Sequence, residues 1–516
     1  VTERRSTPIS ESSASALEWI MDELGHGADI VTRAFACGGA DDQPLITLVY
    51  IEGLVDPMAV NGRIVDRILD ASQTLGEAAS APERLRLLKE KVLAVGGITE
   101  VQSGEHILKS LLEGHSIVLA EGSANAICAN TAGGEHRGVE EPSSQTVIRG
   151  PKEGFTESIR TNVSLIRRKI KSPKLRIDYK SIGTVTQTQI AVVYLKDIAN
   201  QKIVDEIHER LDGIDTDSIL ESGYIEEFIQ DRTFTPFPTL QNLERPDAIV
   251  GGILEGQIAV IVDGTPFVLL APVTFNRFFQ SSEDYYQRFD IASFLRLIRF
   301  GSFLVSMLLP SLYIAITTFH QEMIPTTLLV SLAAQREGTP FPAIVEAFIM
   351  EITFEVLREA GVRMPRAMGS AISIVGALVL GQAAVQAGLV SAAMVIVVSF
   401  TAIANFVIPA INMATASRLI RFAMMILGGT FGLFGVMTGL MFLLIHMVSL
   451  RSFGIPFMLP MSPLSISNLK DVFIRLPWWA LSTRPRLIAD PKANVRQGKN
   501  QKPAPPSSSA GERNDE

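Results

Sequence analysis

Cysteine is nearly absent from this chain: Cys37 and Cys128 are the only two in 516 residues. A disulfide-stapled scaffold is thereby excluded, and the soluble part is expected in a reducing compartment. Histidine is scarce, with seven scattered residues. The sequence has no P-loop, GxGxxG, GxSxG, HExxH or CxxC spacing, so neither an enzyme nor a cofactor or metal site is expected. A basic balance is missing as well; the net charge of −8 gives no electrostatic footprint for nucleic acid. The most informative absence is local. Phe300–Phe319, Ala367–Ser417 and Phe422–Ile445 contain no Asp, Glu, Lys, Arg or His.

A bilayer core of about 30 Å takes roughly 20 apolar residues in a helix. A helix apolar on all sides belongs in lipid or in a very large core. Five apolar stretches are therefore expected as membrane segments, at about 300–319, 341–357, 369–388, 390–411 and 420–448. Met323–Ala334 is a sixth, too short to cross alone. Arg358, Arg363 and Arg366, then Arg418 and Arg421, mark the cytosolic ends. Five crossings would put the basic tail outside, so either 323–334 crosses with help or the last stretch folds back.

The region before residue 300 is different: charged, with helix and strand patterns alternating. Residues 1–15 are polar and Ser-rich, lack a signal-peptide core, and are expected to be disordered. Ala16–Leu24 reads as a helix, Asp29–Ala36 and Pro44–Ile51 as strands, Asp56–Ala71, Pro82–Val95 and Gly104–Leu112 as helices, and His115–Ala120 as a strand. Residues 130–145 read as a linker. The pattern then returns. QIAVVYL at Gln189–Leu195 matches ITLVYI at Ile46–Ile51, and Leu254-Glu255-Gly256 matches Leu112-Glu113-Gly114 at nearly the same offset. A duplicated α/β unit is the expectation. Val262-Asp263-Gly264-Thr265 joins two apolar strands as a hairpin, and the aromatic stretch Thr274–Phe294 is expected at headgroup depth.

The fold class is thus an α+β N-terminal soluble region of two α/β units, followed by a polytopic α-helical membrane domain. The expected boundaries are 16–145 and 146–290 for the two units, 291–449 for the membrane domain, and 450–516 for a basic, partly disordered tail. The soluble region is expected to be cytosolic.

Within the second apolar stretch, Glu351, Glu355 and Glu359 share one helix face, while Glu346 points roughly opposite Glu355. A charge at mid-bilayer costs about 2.5–3.5 kcal/mol on insertion scales, so such groups face a bundle interior or water. Two readings stand side by side: a cation path through Glu346, Glu351 and Glu355, or an interfacial helix whose Glu stripe is wet. Gln382, Gln386 and Asn405 are polar groups in apolar spans; Gln382 and Asn405 are further candidates for the path, with interhelical hydrogen bonding as the structural alternative. Gly428 with Gly432, and Gly435 with Gly439, form two small-xxx-small pairs for helix packing or subunit association.

Several stretches carry a resemblance. They are Arg149-Gly150-Pro151-Lys152-Glu153-Gly154-Phe155, VDGTPFVLLAP, SSEDYYQRF, TTFHQEMIPTTLL, REGTPFPAIVEAFIMEITFEVLREAG, SIVGALVLGQAAVQAGLVS and RSFGIPF. In this order, over roughly 110–480, they resemble the A subunits of the GerA family of bacterial spore germination receptors. The resemblance implies a multi-pass protein of the spore inner membrane. It also implies a complex with a transporter-like B subunit and a lipoprotein C subunit, and oligomers contributing an ion-conducting path that opens on nutrient sensing. A stage V sporulation AF-type paralogue, or a non-conducting scaffold or transporter subunit, is the alternative.

Overall fold

The structure is a computed structural model. It describes residues 9–37, 45–78, 80–133, 147–363, 381–465, 468–485 and 487–493, with single positions 142, 145, 495, 496 and 502. The chain divides into two units. The first gathers Val1–Gln230, Asn242–Pro272 and Ser482–Lys499; the second gathers Asp231–Gln241, Val273–Leu481 and Asn500–Glu516. The cut thus falls after Pro272 rather than near residue 290, and part of the tail joins the first unit.

The first unit contains two five-stranded antiparallel sheets. Strands β1 (Ile30–Phe35), β2 (Ile46–Ile51), β3 (Ile98–Val101), β4 (His115–Ala120) and β5 (Ala126–Asn130) lie in the order β1-β2-β4-β5-β3. Strands β6 (Leu175–Ile182), β7 (Thr188–Leu195), β8 (Gln241–Leu243), β9 (Ile258–Val262) and β10 (Val268–Ala271) lie in the order β6-β7-β9-β10-β8. Renumbered from its own first strand, the second order is the same as the first. Tyr50 and Tyr194 lie in the second strand of their sheets. Gly114 (φ 87°) and Gly256 (φ 97°) each turn the chain from a helix into the fourth strand. That left-handed conformation is one glycine adopts without steric cost.

Both faces of the first sheet are covered. Ile46, Leu48, Val118, Ile127 and Ala129 pack under the short helices of residues 57–92, while Val49, Ile51, Ile117 and Leu119 pack under α1 (Ser13–Leu24) and α2 (Gly104–Leu112). Burial on two faces explains why these strands read as nearly continuous apolar runs. In the second sheet, α3 (Ile159–Lys169) joins one face with Ile177, Val193, Ile261 and Leu270, and α4 (Gln201–Asp212) and α5 (Ser222–Ile229) follow β7 in the chain. A ninth-strand neighbour, α6 (Pro246–Leu254), buries Ile249, Val250 and Ile253 in that same core. The hairpin at Asp263 is capped from α3, since the Ile159 amide donates to Asp263 Oδ1 at 2.9 Å.

The lobes that carry the two sheets are clamped together. Arg167 of α3 donates from Nε and Nη2 to the two Asp29 carboxylate oxygens at 2.7 and 3.0 Å, and both side chains are buried. Arg176 adds a bond to the Leu24 carbonyl at 2.9 Å.

The second unit is helical. Its main elements are α7 (Phe289–Phe319), α8 (Thr326–Glu337), α9 (Ala343–Arg363), α10 (Ala392–Phe406) and α11 (Ile411–Ser449). Among the described residues, α7 and α11 are the two helices long and apolar enough to cross a bilayer. The expected stretch 369–388 falls outside the described residues as far as residue 380. None of the residues of α8 is buried.

The last expected stretch, 420–448, is not one straight helix. Gly432 has φ 62° and ψ −145°, outside helical space, and splits α11 into two arms. At about 1.5 Å per residue the arms are about 31 and 25 Å long. The second arm returns along the first. A Cβ placed on Gly435 would lie 2.2 Å from the Leu427 carbonyl oxygen, and one on Gly439 would meet Met424 and Leu427. Met413 and Ala416 at the start of α11 share a core with Met447 and Leu450 at its end, and with Phe303 and Met307 of α7. Of the two alternatives left by the charge pattern, this geometry is the fold-back.

The aromatic stretch after β10 turns its first rings inward. Phe275, Phe278 and Phe279 are buried in that helical core rather than standing outward, and Phe279 stacks on Phe300 with ring centroids 4.3 Å apart. Rings of this size bury more apolar surface inside a bundle than at a surface, and stacked or edge-on pairs add to it.

Candidate functional site

The four glutamates of α9 have four different environments. Glu346 is fully buried; its Oε2 accepts from the Ser391 amide at 3.1 Å and from Ser391 Oγ at 2.9 Å. Thr339 Oγ1 donates to Oε1 at 3.4 Å, and Arg336 Nε stands 3.6 Å away. Ser391 is the N-cap of α10, its Oγ accepting from the Met394 amide. Glu346 therefore places its negative charge at a helix N-terminus, where free amides and the helix dipole favour it.

Glu351 is also fully buried. Its Oε2 lies 3.3 Å from Nη1 of Arg421, itself buried in the first arm of α11. Neither Glu351 oxygen is met by an aligned hydrogen-bond donor among the described residues, and the same holds for Arg421 Nε and Nη1. This contact is held by charge and not by directed hydrogen bonds. Glu355 is better served: its Oε2 accepts from Arg358 at 2.6 Å and Arg418 at 2.9 Å, and its Oε1 from Arg421 at 3.4 Å. Glu359 is exposed and pairs with Arg363 at 2.8 Å.

Two carboxylates and three guanidinium groups thus meet between α9 and α11, while Ile352, Val356 and Leu419 point outward from the same segments. Taking such charges from water costs several kcal/mol per ion, and replacing buried pairs with apolar residues is often neutral or stabilising. Stability alone is a weak reason for them.

Asn405 lies at the opposite end of α10 from Ser391. Its Nδ2 donates to the Ala414 carbonyl at 3.0 Å and to Ser417 Oγ at 2.9 Å, and Ser417 Oγ is 3.1 Å from Ser306 Oγ. These bonds join α7, α10 and α11 one turn from Arg421. Gln382 is exposed and contributes to none of these clusters. The glycines have separate neighbours: a Cβ on Gly428 would lie 2.7 Å from the Ser311 carbonyl oxygen of α7, one on Gly432 would meet Phe319 and His320, and Gly435 and Gly439 face the first arm.

The profile of the family described as Bacillus/Clostridium GerA spore germination protein matches residues 18–487. The chain belongs to the GerA family. Spore germination protein KA of Bacillus subtilis (strain 168) is 48% identical over 500 residues, which cover 97% of this chain and 91% of that protein. The uncharacterized membrane protein YfkQ of the same organism is 42% identical over 479 residues, 93% of this chain and 91% of its own. Among solved structures, the N-terminal domain of the A subunit of the Bacillus megaterium spore germinant receptor GerK3 is 36% identical; the match covers 53% of this chain and 99% of that domain, with a TM-score of 0.42.

In this GerA-family chain the partners of the glutamates are what sequence reading missed. Arg418 and Arg421 were legible only as marks of a cytosolic end, and Arg336 and Ser391 lie in stretches that carry the family resemblance but give no sign of a pairing with Glu346. One signal was available. Arg418 and Arg421 are spaced i, i+3 and Glu351 and Glu355 i, i+4, so each pair occupies one helix face and the two faces are complementary in charge.

Proposed function

We propose that this chain is the A subunit of a nutrient-responsive germinant receptor in the spore inner membrane. It works with a transporter-like B subunit and a lipoprotein C subunit, and its first unit faces the cytosol. Its second unit crosses the membrane, assembles with further copies, and contributes the cation path whose opening triggers ion release. Relatives named as spore germination proteins, at up to 48% identity over nearly the full length, support the receptor role. Arg358 and Arg363 at the end of α9 and Arg418 and Arg421 near the start of α11 mark the cytosolic end by the positive-inside rule. Gly428, Gly435 and Gly439 serve packing within the chain.

The observation that carries the ion-path reading is Glu351. A fully buried carboxylate without a directed donor among the described residues, beside a guanidinium whose one directed hydrogen bond goes to Glu355, is a site where a cation can replace the arginine as counter-charge. In the resting chain Arg421 occupies that position and the path is closed. Intramembrane carboxylates are costly to bury and characteristically line ion pathways or proton relays. Glu351→Gln keeps size and removes the charge. Spores carrying it should release monovalent cations more slowly after nutrient addition, with protein level and assembly maintained. Release at the wild-type rate would refute the path.

The same Arg pairing favours a second reading, a non-conducting scaffold in which the cluster only joins α9 to α11. Loss of the variant from the membrane, without a selective defect in release, is its signature.

A further inference from the structure

We infer that the segment 469–481 is an interfacial strap, lying along the headgroup zone of the bilayer at the end where α7 begins. The inference rests on the membrane-spanning reading of the second unit.

The depth follows from length. α7 has 31 residues, about 46 Å at 1.5 Å per residue, against an apolar core of about 30 Å. Its charge-free portion, Phe300–Phe319, has the length of that core. The first turns of α7, with Asp290, Arg296 and Arg299, therefore extend beyond it to headgroup depth.

The strap is fixed to those turns. Arg296, fully buried, donates from Nε to Asp284 Oδ2 at 2.9 Å and from Nη1 to Asp471 Oδ1 at 2.7 Å. Tyr285 Oη donates to Asp471 Oδ2 at 2.7 Å. Ser293 Oγ of α7 accepts from the Arg475 amide at 3.1 Å, and Arg475 Nη1 donates to the Gln287 carbonyl at 3.0 Å. The Arg296 and Arg475 guanidinium groups both stand over the Tyr285 ring, 5.4 and 5.6 Å from its centroid. The SSEDYYQRF stretch thus supplies Asp284 and Tyr285 to a clamp on the strap, a role that the ion path does not use.

What the strap turns outward is apolar and aromatic. Val472 and Arg475 face the protein, whereas Ile474, Trp478 and Trp479 are exposed, at 55%, 48% and 40%. On the first turns of α7, to which the strap is bonded through Ser293, Phe289, Phe294 and Leu297 are exposed as well. Trp478 has its indole N–H on the Tyr285 carbonyl at 3.2 Å. An apolar ring body with a satisfied polar edge is the side chain that prefers the boundary between headgroup and acyl chain. Water would leave these exposed groups unpaired, and the acyl core would strand the clamp's charges, so the boundary between them is the occupant that satisfies both.

The chain has three tryptophans, Trp19, Trp478 and Trp479, so a full-length W19F variant reports on the strap alone. It is reconstituted into phosphatidylethanolamine–phosphatidylglycerol vesicles containing lipids brominated either near the headgroup or near the acyl terminus. The expected result is greater loss of fluorescence to the shallow bromines than to the deep ones. A control removes all three tryptophans as phenylalanines and carries Phe442→Trp, on the exposed face of the second arm of α11; it should be quenched by the deep label. If the control is quenched but the strap is unaffected by either label, or is quenched more by the deep one, the strap is not interfacial. If the control is not quenched, the spanning reading fails and the strap proposal with it.

Discussion

The clamp between the two sheet-bearing lobes supports a quantitative test. Asp29 and Arg167 are 3% and 1% exposed and share two hydrogen bonds. Asp29→Ala leaves the guanidinium buried with no counter-charge; Arg167→Leu does the same to the carboxylate. Breaking a buried pair from one side costs about 3–5 kcal/mol, whereas removing both charges together is often neutral. The exposed Arg160–Glu52 contact at 2.8 Å is not a substitute, since such pairs contribute about 0–1 kcal/mol. Urea unfolding of the full chain in detergent, with Trp478 and Trp479 replaced by phenylalanine so that Trp19 reports on the first lobe, gives the measurement. With a slope of about 2 kcal/mol/M, each single variant should lower the midpoint by about 1.5–2.5 M. The double variant Asp29→Ala/Arg167→Leu should lose far less than the two singles together, because no charge is left stranded. Single variants within about 1 kcal/mol of wild type, or strict additivity in the double, would refute the reasoning.

Two further outcomes follow from the same structure. Burial, with Glu221 and Glu227 close by, pushes the Glu226 carboxyl of α5 up from 4.5 to about 7. The folded state therefore holds this proton over a range where the unfolded chain has released it. Its stabilising contribution is complete below pH 4.5 and is lost as pH rises to about 7. Glu226→Gln should make the first unit more stable than wild type above that range and flatten the pH dependence of its thermal midpoint; a midpoint that falls in parallel with wild type would count against the assignment. Gly432→Ala forces a Cβ into a backbone region open to glycine, 3.0 Å from Phe319 Cβ and 2.8 Å from His320 Cε1. About 1–3 kcal/mol of strain is expected, read as a lower unfolding temperature in detergent; an unchanged temperature would mean that the two arms do not reverse there.

The clamp and the helical core also show how far local pattern reaches. The matched strands around Tyr50 and Tyr194, and the turns at Gly114 and Gly256, were legible because a sheet buried on both faces and a left-handed turn each leave a mark on consecutive residues. The helix from Gly104 to Leu112 and the strand from His115 to Ala120 have the bounds their patterns imply. The charge-free run Phe300–Phe319 likewise lies inside one helix, because a continuous helix satisfies its own backbone whatever surrounds it.

The reversal at Gly432 was hidden because glycine is common in apolar helices, and what distinguishes this one is its conformation, set by the return of the second arm onto Met424 and Leu427. The burial of Phe275, Phe278 and Phe279 was not legible for a related reason: an aromatic run has the same composition whether it faces lipid or a helical core. The glutamates of α9 were visible one by one, and their spacing gave the shared face. Only the packing of α9 against α11 brings Arg421 to Glu351 and Arg418 to Glu355, and only the approach of α10 brings Ser391 to Glu346. Residue type and spacing along one helix determine which groups share a face. Whether a buried charge meets a counter-charge depends on which other helix lies against that face, and that is decided by the shape of both surfaces together.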